Sequence, residues 1–198
     1  GCTCPQHTQM TYSFNKAEYG HKTVMDSIAG LTETEWNIAG AAGDWTPKDV
    51  IAHLASFEHI LIDVLDSLRG VKPTPTLDRW LHDPERFNAV EVVVRQHQSA
   101  QTVVAEYAAA FDETINQIIR IPERRLRTAG ALPWYGAEYD AEDFIVYSFY
   151  GHKREHSAQI AALRSQRTLP VSVQAMRRLP AANGGYHPYS SYPLEGLR

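Results

Sequence analysis

Apolar residues recur every three or four positions along most of this chain, the period of a helix with one buried face. The clearest run is Val50, Leu54, Phe57, Leu61, Val64 and Leu68. Its start is well marked. Thr46 can cap, Pro47 suits the first helical position, and Asp49 sits where the helix dipole favours an anion. Gly70 follows the last apolar position. The pattern predicts a helix from Pro47 to Leu68 or Arg69.

Three more long helices follow from the same reading. One spans Asn15 to Leu31, with a stripe of Tyr19, Thr23, Val24, Met25, Ile28 and Leu31 and a stop at Gly30. One starts at the cap Ser99 and runs through Ile119, carried by Val103, Tyr107, Ala110 or Phe111, Thr114 and Ile118. The last is capped by Asp140 and reaches about Arg164. Its inward positions are Phe144 or Ile145, Ser148 or Phe149, His152, His156, Gln159 or Ile160, and Leu163.

Shorter pieces lie between. Thr32 and Glu35 stand in capping-box positions for one turn. Asp83 caps a short helix with a stripe of Phe87, Val90 and Val94, and Pro122 to Leu126 allows a further turn. Pro73-Thr74-Pro75 and residues 129–139 read as loops. No stretch alternates long enough to demand a strand. The expected fold is all-α: a four-helix bundle over residues 13–165, with a short extra helix in its crossover connection. Residues 1–12 read as a flexible segment. Residues 166–198 read as an extended or disordered tail, because four prolines and Gly184-Gly185 break any period.

Composition narrows the function. The 198 residues carry 19 basic and 23 acidic side chains, a net charge of -4, which gives no electrostatic reason to expect nucleic acid. No apolar run approaches the roughly 20 residues of a membrane helix, so no membrane partner is expected. The two cysteines, Cys2 and Cys4, are too close for an ordinary structural disulfide and read as free thiols. A cysteine-poor body suits a reducing cytoplasm.

His152 and His156 are the candidate chemistry. Four residues apart on a helix, they stack on one face and can share a divalent ion. His53 lies three beyond Val50 and four before Phe57, so it too points toward the buried side of its helix. Three neutral imidazoles from facing helices bind Zn²⁺, Ni²⁺ or Fe²⁺ and leave positions open for water or substrate. A histidine in a core can also simply hydrogen-bond to backbone. Glu58, His59 and Glu155 fall on other faces by helical angle, and Glu155 has Lys153 and Arg154 as neighbours to pair with. Trp134 and Tyr135 precede the histidine helix and could wall a pocket, with Tyr150 beside them. No Ser-His-Asp arrangement, phosphate-binding glycine loop or paired-carboxylate signature is present.

Trp45-Thr46-Pro47-Lys48-Asp49 through His53-Leu54, Leu132-Pro133-Trp134-Tyr135-Gly136, and Asp143 to Tyr147 with Tyr150 to Ile160 together resemble the DinB superfamily. The nearest branch by these motifs is the ClbS/DfsB type. The resemblance covers roughly residues 13–165. It implies an up-up-down-down-like bundle, often a homodimer, with Ni²⁺ or Zn²⁺ held by His53, His152 and His156. It also implies a low-molecular-weight thiol as co-substrate in some relatives and self-protection by hydrolysis in another.

The leading expectation is a metal-dependent enzyme acting on a small electrophile by hydrolysis or thiol transfer. The alternative is a non-catalytic binding or sequestering protein with a pocket lined by Trp134, Tyr135 and Tyr150. A third reading is a scaffold whose histidines are core polar groups.

Overall fold

The computed structural model describes residues 11–168. Among them the chain is helical, and the single β-type contact is an isolated bridge between Ala42 and Trp45. The order is α1 (Tyr12–Ile28), α2 (Glu33–Trp36), α3 (Pro47–Leu68), α4 (Pro75–His82), α5 (Pro84–Val93), α6 (Ala100–Arg120), α7 (Glu123–Leu126), α8 (Ala141–Ile145), a π-helical segment (Val146–Gly151) and α9 (His152–Thr168). The N-terminal segment with Cys2 and Cys4, and the tail beyond residue 168, lie outside the described residues. Residues 166–168 continue α9 rather than beginning a tail.

α3 packs chiefly on α6, and α1 on α9. Thr114 on α6 reaches Glu58 on α3, while Arg125 beyond α6 reaches the end of α3 at Leu68, so these two helices run parallel. Ser13 meets Glu142 and Arg164 meets Ser27, so α1 also runs parallel to α8–α9. Glu58 pairs with Lys153 and His53 meets His156, which makes α3 antiparallel to α9. The order is therefore up-down-down-up, not the up-up-down-down arrangement expected. The short link between α1 and α3 reverses the chain, and the α4–α5 crossover carries it back along α3 before α6 begins.

The caps of α3 and α8 form as their sequences predict. Thr46 with Asp49, and Asp140 with Asp143, make reciprocal capping boxes. All six stripe residues of α3 are buried. Four expectations need correction. α1 begins at Tyr12, capped by Thr11, and buries Ser13, Ala17, Gly20, Val24 and Ile28. Small residues on that face let α9 approach closely, and Tyr19 is left exposed against the ring of Tyr150. In α5 only Phe87 of the expected stripe is buried. Val90 and Val94 face out because Glu91 turns in to pair with Arg95 and Arg79. The connection between Pro73 and Asp83, where no element is expected, contains α4 from Pro75 to His82. The last helix is not continuous, because π-helical turns separate α8 from α9.

The core has two apolar clusters. One gathers Val24, Ile51, Leu54, Val103, Tyr107 and Ile160. The other gathers Phe57, Leu61, Leu65, Trp80, Phe144 and Phe149. Along α3 the change from one to the other falls between Leu54 and Phe57. Along the last helix it falls between Phe149 and Ile160. The three histidines sit at that seam.

Candidate metal centre

His53 is carried on the buried stripe of the strongly capped α3. His152 and His156 occupy the first turns of α9, immediately after the π-helical segment ends at Gly151. Such turns bond i to i+5 and recur at functional sites. Here they decouple the rotation of α9 from that of α8.

The structure brings the three rings together. His53 Nε2 lies 2.9 Å from His152 Nε2, and His156 Nε2 lies 2.8 Å from the same atom. The residues His53, His152 and His156 are 1%, 6% and 4% exposed. Burial drives the His53 and His152 pKa values well below the usual imidazole value, and the neighbouring histidines push the same way. Burial also lowers His156 to about 4, opposed by its bond to Gln159. All three are neutral near pH 7 and so can donate lone pairs.

A neutral imidazole nitrogen either donates one hydrogen or offers one lone pair. Three Nε2 atoms converging on one point compete for the same bond, because the single hydrogen or lone pair of the His152 nitrogen faces two neighbours at once. A cation satisfies all three lone pairs at once. His156 Nδ1 donates to Gln159 Oε1 at 2.7 Å, which leaves Nε2 as its lone-pair atom. Ligand nitrogens at about 2.1 Å around a tetrahedral ion stand about 3.4 Å apart, so the cluster needs to open by only about 0.5 Å. The residues therefore fit a divalent ion, with a fourth position left for water or substrate.

Aromatic rings wall the cluster. Trp45 lies 4.9 Å from His53 between ring centres, and Phe57 lies 4.7 Å from His53 and 4.6 Å from His152. Trp134 and Tyr135 are placed further out. Trp134 packs on Trp80, and both pack on Phe144, while Trp80 in turn backs Phe57. Tyr150 packs elsewhere, with Tyr19 and beneath the amine of Lys16. It lines an open cleft of about 410 Å³ with Tyr12, Asn15, Lys16 and Tyr19.

Sequence reasoning missed three features. In sequence Trp45 stands only as the residue before the Thr46 cap, with nothing to mark it as a wall of the site. Periodicity allows Gln159 or Ile160 inward and gives Gln159 no role, although an amide three residues past a histidine is within reach of its ring. Helical angle puts Glu58 on a different face from the histidines and offers Lys153 only as a neighbour of Glu155. They are instead buried and paired with each other, so Lys153 is not the partner of Glu155.

A family model described as the DinB superfamily matches residues 19–160. The chain belongs to the DinB superfamily. No curated protein matches it. A crystal structure of a Streptococcus pneumoniae protein shares the DinB-like fold of this chain, with a TM-score of 0.66 and 15% identity over 80% of this chain and 94% of that one. That likeness speaks to fold alone. Among the described residues of this DinB-superfamily chain, His53, His152 and His156 form a group able to hold a metal ion, and no helix is long and apolar enough to cross a membrane.

Proposed function

We propose that this DinB-superfamily chain, of the ClbS/DfsB type, holds one divalent cation, zinc or nickel, on His53, His152 and His156. It uses the remaining position to act on a small electrophile by hydrolysis or by transfer of a low-molecular-weight thiol. The observation that carries this reading is the convergence of three buried ligand nitrogens within 4.8 Å of one another. When bound, such a cation supplies Lewis acidity that lowers the pKa of a water or thiol. The chain's own residues do the rest. Gln159 holds the His156 tautomer, and Trp45 and Phe57 keep bulk water from the rings and offer an apolar face to substrate.

The enclosure of the rings favours a second reading, a protein that binds or sequesters a small molecule without turning it over. Protein purified without a histidine tag separates the possibilities. Elemental analysis is expected to find one zinc or nickel per chain, and none in His152→Ala. Substoichiometric metal in the wild type, or unchanged metal in the variant, would sink the metal reading. Full metal with no turnover across a panel of thiols and electrophiles would favour sequestration.

A further inference from the structure

The buried Glu58–Lys153 pair lies beside the three-histidine centre but belongs to no step of the proposed chemistry. Glu58 is 0% exposed and Lys153 is 3% exposed. Glu58 Oε1 faces the Lys153 amine directly. Thr114 on α6 donates its hydroxyl to Glu58 Oε2 at 2.9 Å. The Lys153 amine also sits over the rings of Phe111 at 4.9 Å and Tyr107 at 5.5 Å, both on α6. On α1, Gly20 makes room for the lysine stem: a Cβ there would come within 3.2 Å of Lys153 Cδ. All four long helices thus converge on this pair.

Its position along the helices is informative. Lys153 is the residue after His152, and Glu58 is about a turn and a half beyond His53 on α3. The pair therefore bridges the same two helices whose ligands must meet. Those helices, α3 and α9, otherwise pack chiefly on α6 and α1, respectively, and only lightly on each other. Removing two charges from water costs several kcal/mol per ion before their attraction offsets it, so a buried pair is poor evidence of stabilisation. An apolar pair would hold the helices together as well, yet it would tolerate rotation and sliding. An ion pair with a fixed hydrogen-bond partner does not.

We infer that Glu58 and Lys153 are positioning residues for the histidine centre, setting the rotation and axial register of α9 against α3 so that the three Nε2 atoms meet. This rests on the metal reading. The test is titration of cation-free protein with Co²⁺ and Zn²⁺, reading affinity and the visible Co²⁺ spectrum, alongside urea unfolding. The apolar double variant Glu58→Met with Lys153→Met is expected to fold with unchanged or greater stability. Its cation affinity is expected to fall about 10- to 100-fold, the range seen when supporting partners of metal ligands are lost, with an altered Co²⁺ spectrum. Thr114→Val, which removes one bond to Glu58, is expected to show a smaller loss. Unchanged affinity and spectrum in the double variant overturn the inference, and so does a double variant that cannot fold. A wild type that binds neither ion overturns the metal reading and this one together.

Discussion

His156 and Gln159 lie one helical turn apart on α9, with the ring Nδ1 2.7 Å from the amide oxygen. This bond decides which nitrogen of His156 faces His53 and His152. An acceptor on Nδ1 orients the ring and raises the basicity of Nε2. Gln159→Leu keeps the helix and the volume but removes the acceptor. Its cation affinity is expected to fall about 10- to 100-fold, while Gln159→Glu, which still accepts, is expected to stay near wild type. Competitive chelator titration measures both. Equal affinity in Gln159→Leu and wild type would remove Gln159 from the site.

Cation-free protein is expected to lose stability as pH falls from 6.5 toward about 4. His53 and His152 are pushed well below the ordinary histidine pKa by burial, and His156 and His21 are lowered to about 4, again chiefly by burial. In this window the unfolded chain binds more protons than the folded one, so stability is complete above 6.5 and declines below it. Each extra proton contributes a slope of about 1.4 kcal/mol per pH unit. His21 stacks on Phe111, with ring centres 3.9 Å apart, outside the three-histidine cluster. His21→Phe is therefore expected to reduce the slope by about one proton. Urea unfolding across the range tests this, and a flat profile would refute it.

What the sequence revealed and what it hid divide along physical lines. Local signals were legible. The Thr46 and Asp140 caps, the Thr32–Glu35 box and the stripe from Val50 to Leu68 depend on residues a few positions apart. The convergence of His53 with His152 and His156 was legible too, because each lies on an apolar face of a long helix. The features it hid depend on distant partners. Glu58 and Lys153, 95 positions apart, are buried only because each neutralises the other. Val90 and Val94 look like core, yet Glu91 wins the inward position through Arg95. The π-helical turns before His152 have no compositional mark that separates them from ordinary helix.

Binding of a cation to the folded chain alone is expected to raise its stability by mass action, about 2.7 kcal/mol at a hundredfold excess over Kd. The unfolded chain holds residues 53, 152 and 156 in no fixed geometry around one ion, and any cation it does bind through its histidines reduces the effect. Thermal unfolding of cation-free protein is therefore expected to shift upward on adding zinc and to return on chelation. His53→Ala is expected to abolish the shift while keeping the fold. An equal shift in the variant would place the binding elsewhere.

The start of α4 is expected to depend on a side chain from another helix. Thr74 makes no side-chain cap for it. Asp63 on α3 instead accepts hydrogen bonds from the backbone amides of Thr76 at 2.7 Å and Leu77 at 3.0 Å. This explains why no helix is legible between Pro75 and His82: the cap lies more than ten positions upstream. Asp63→Ala leaves both amides without that acceptor in a largely buried setting, and is expected to cost about 1–3 kcal/mol. Asp63→Asn retains an acceptor and is expected to recover most of it. Hydrogen exchange at Thr76 and Leu77 is expected to quicken in the alanine variant. The metal content is expected to stay unchanged, because Trp80 on α4 touches Phe57 rather than forming part of the ligand set. Undiminished stability in Asp63→Ala would show that α4 is held by its buried Leu77 and Trp80 alone.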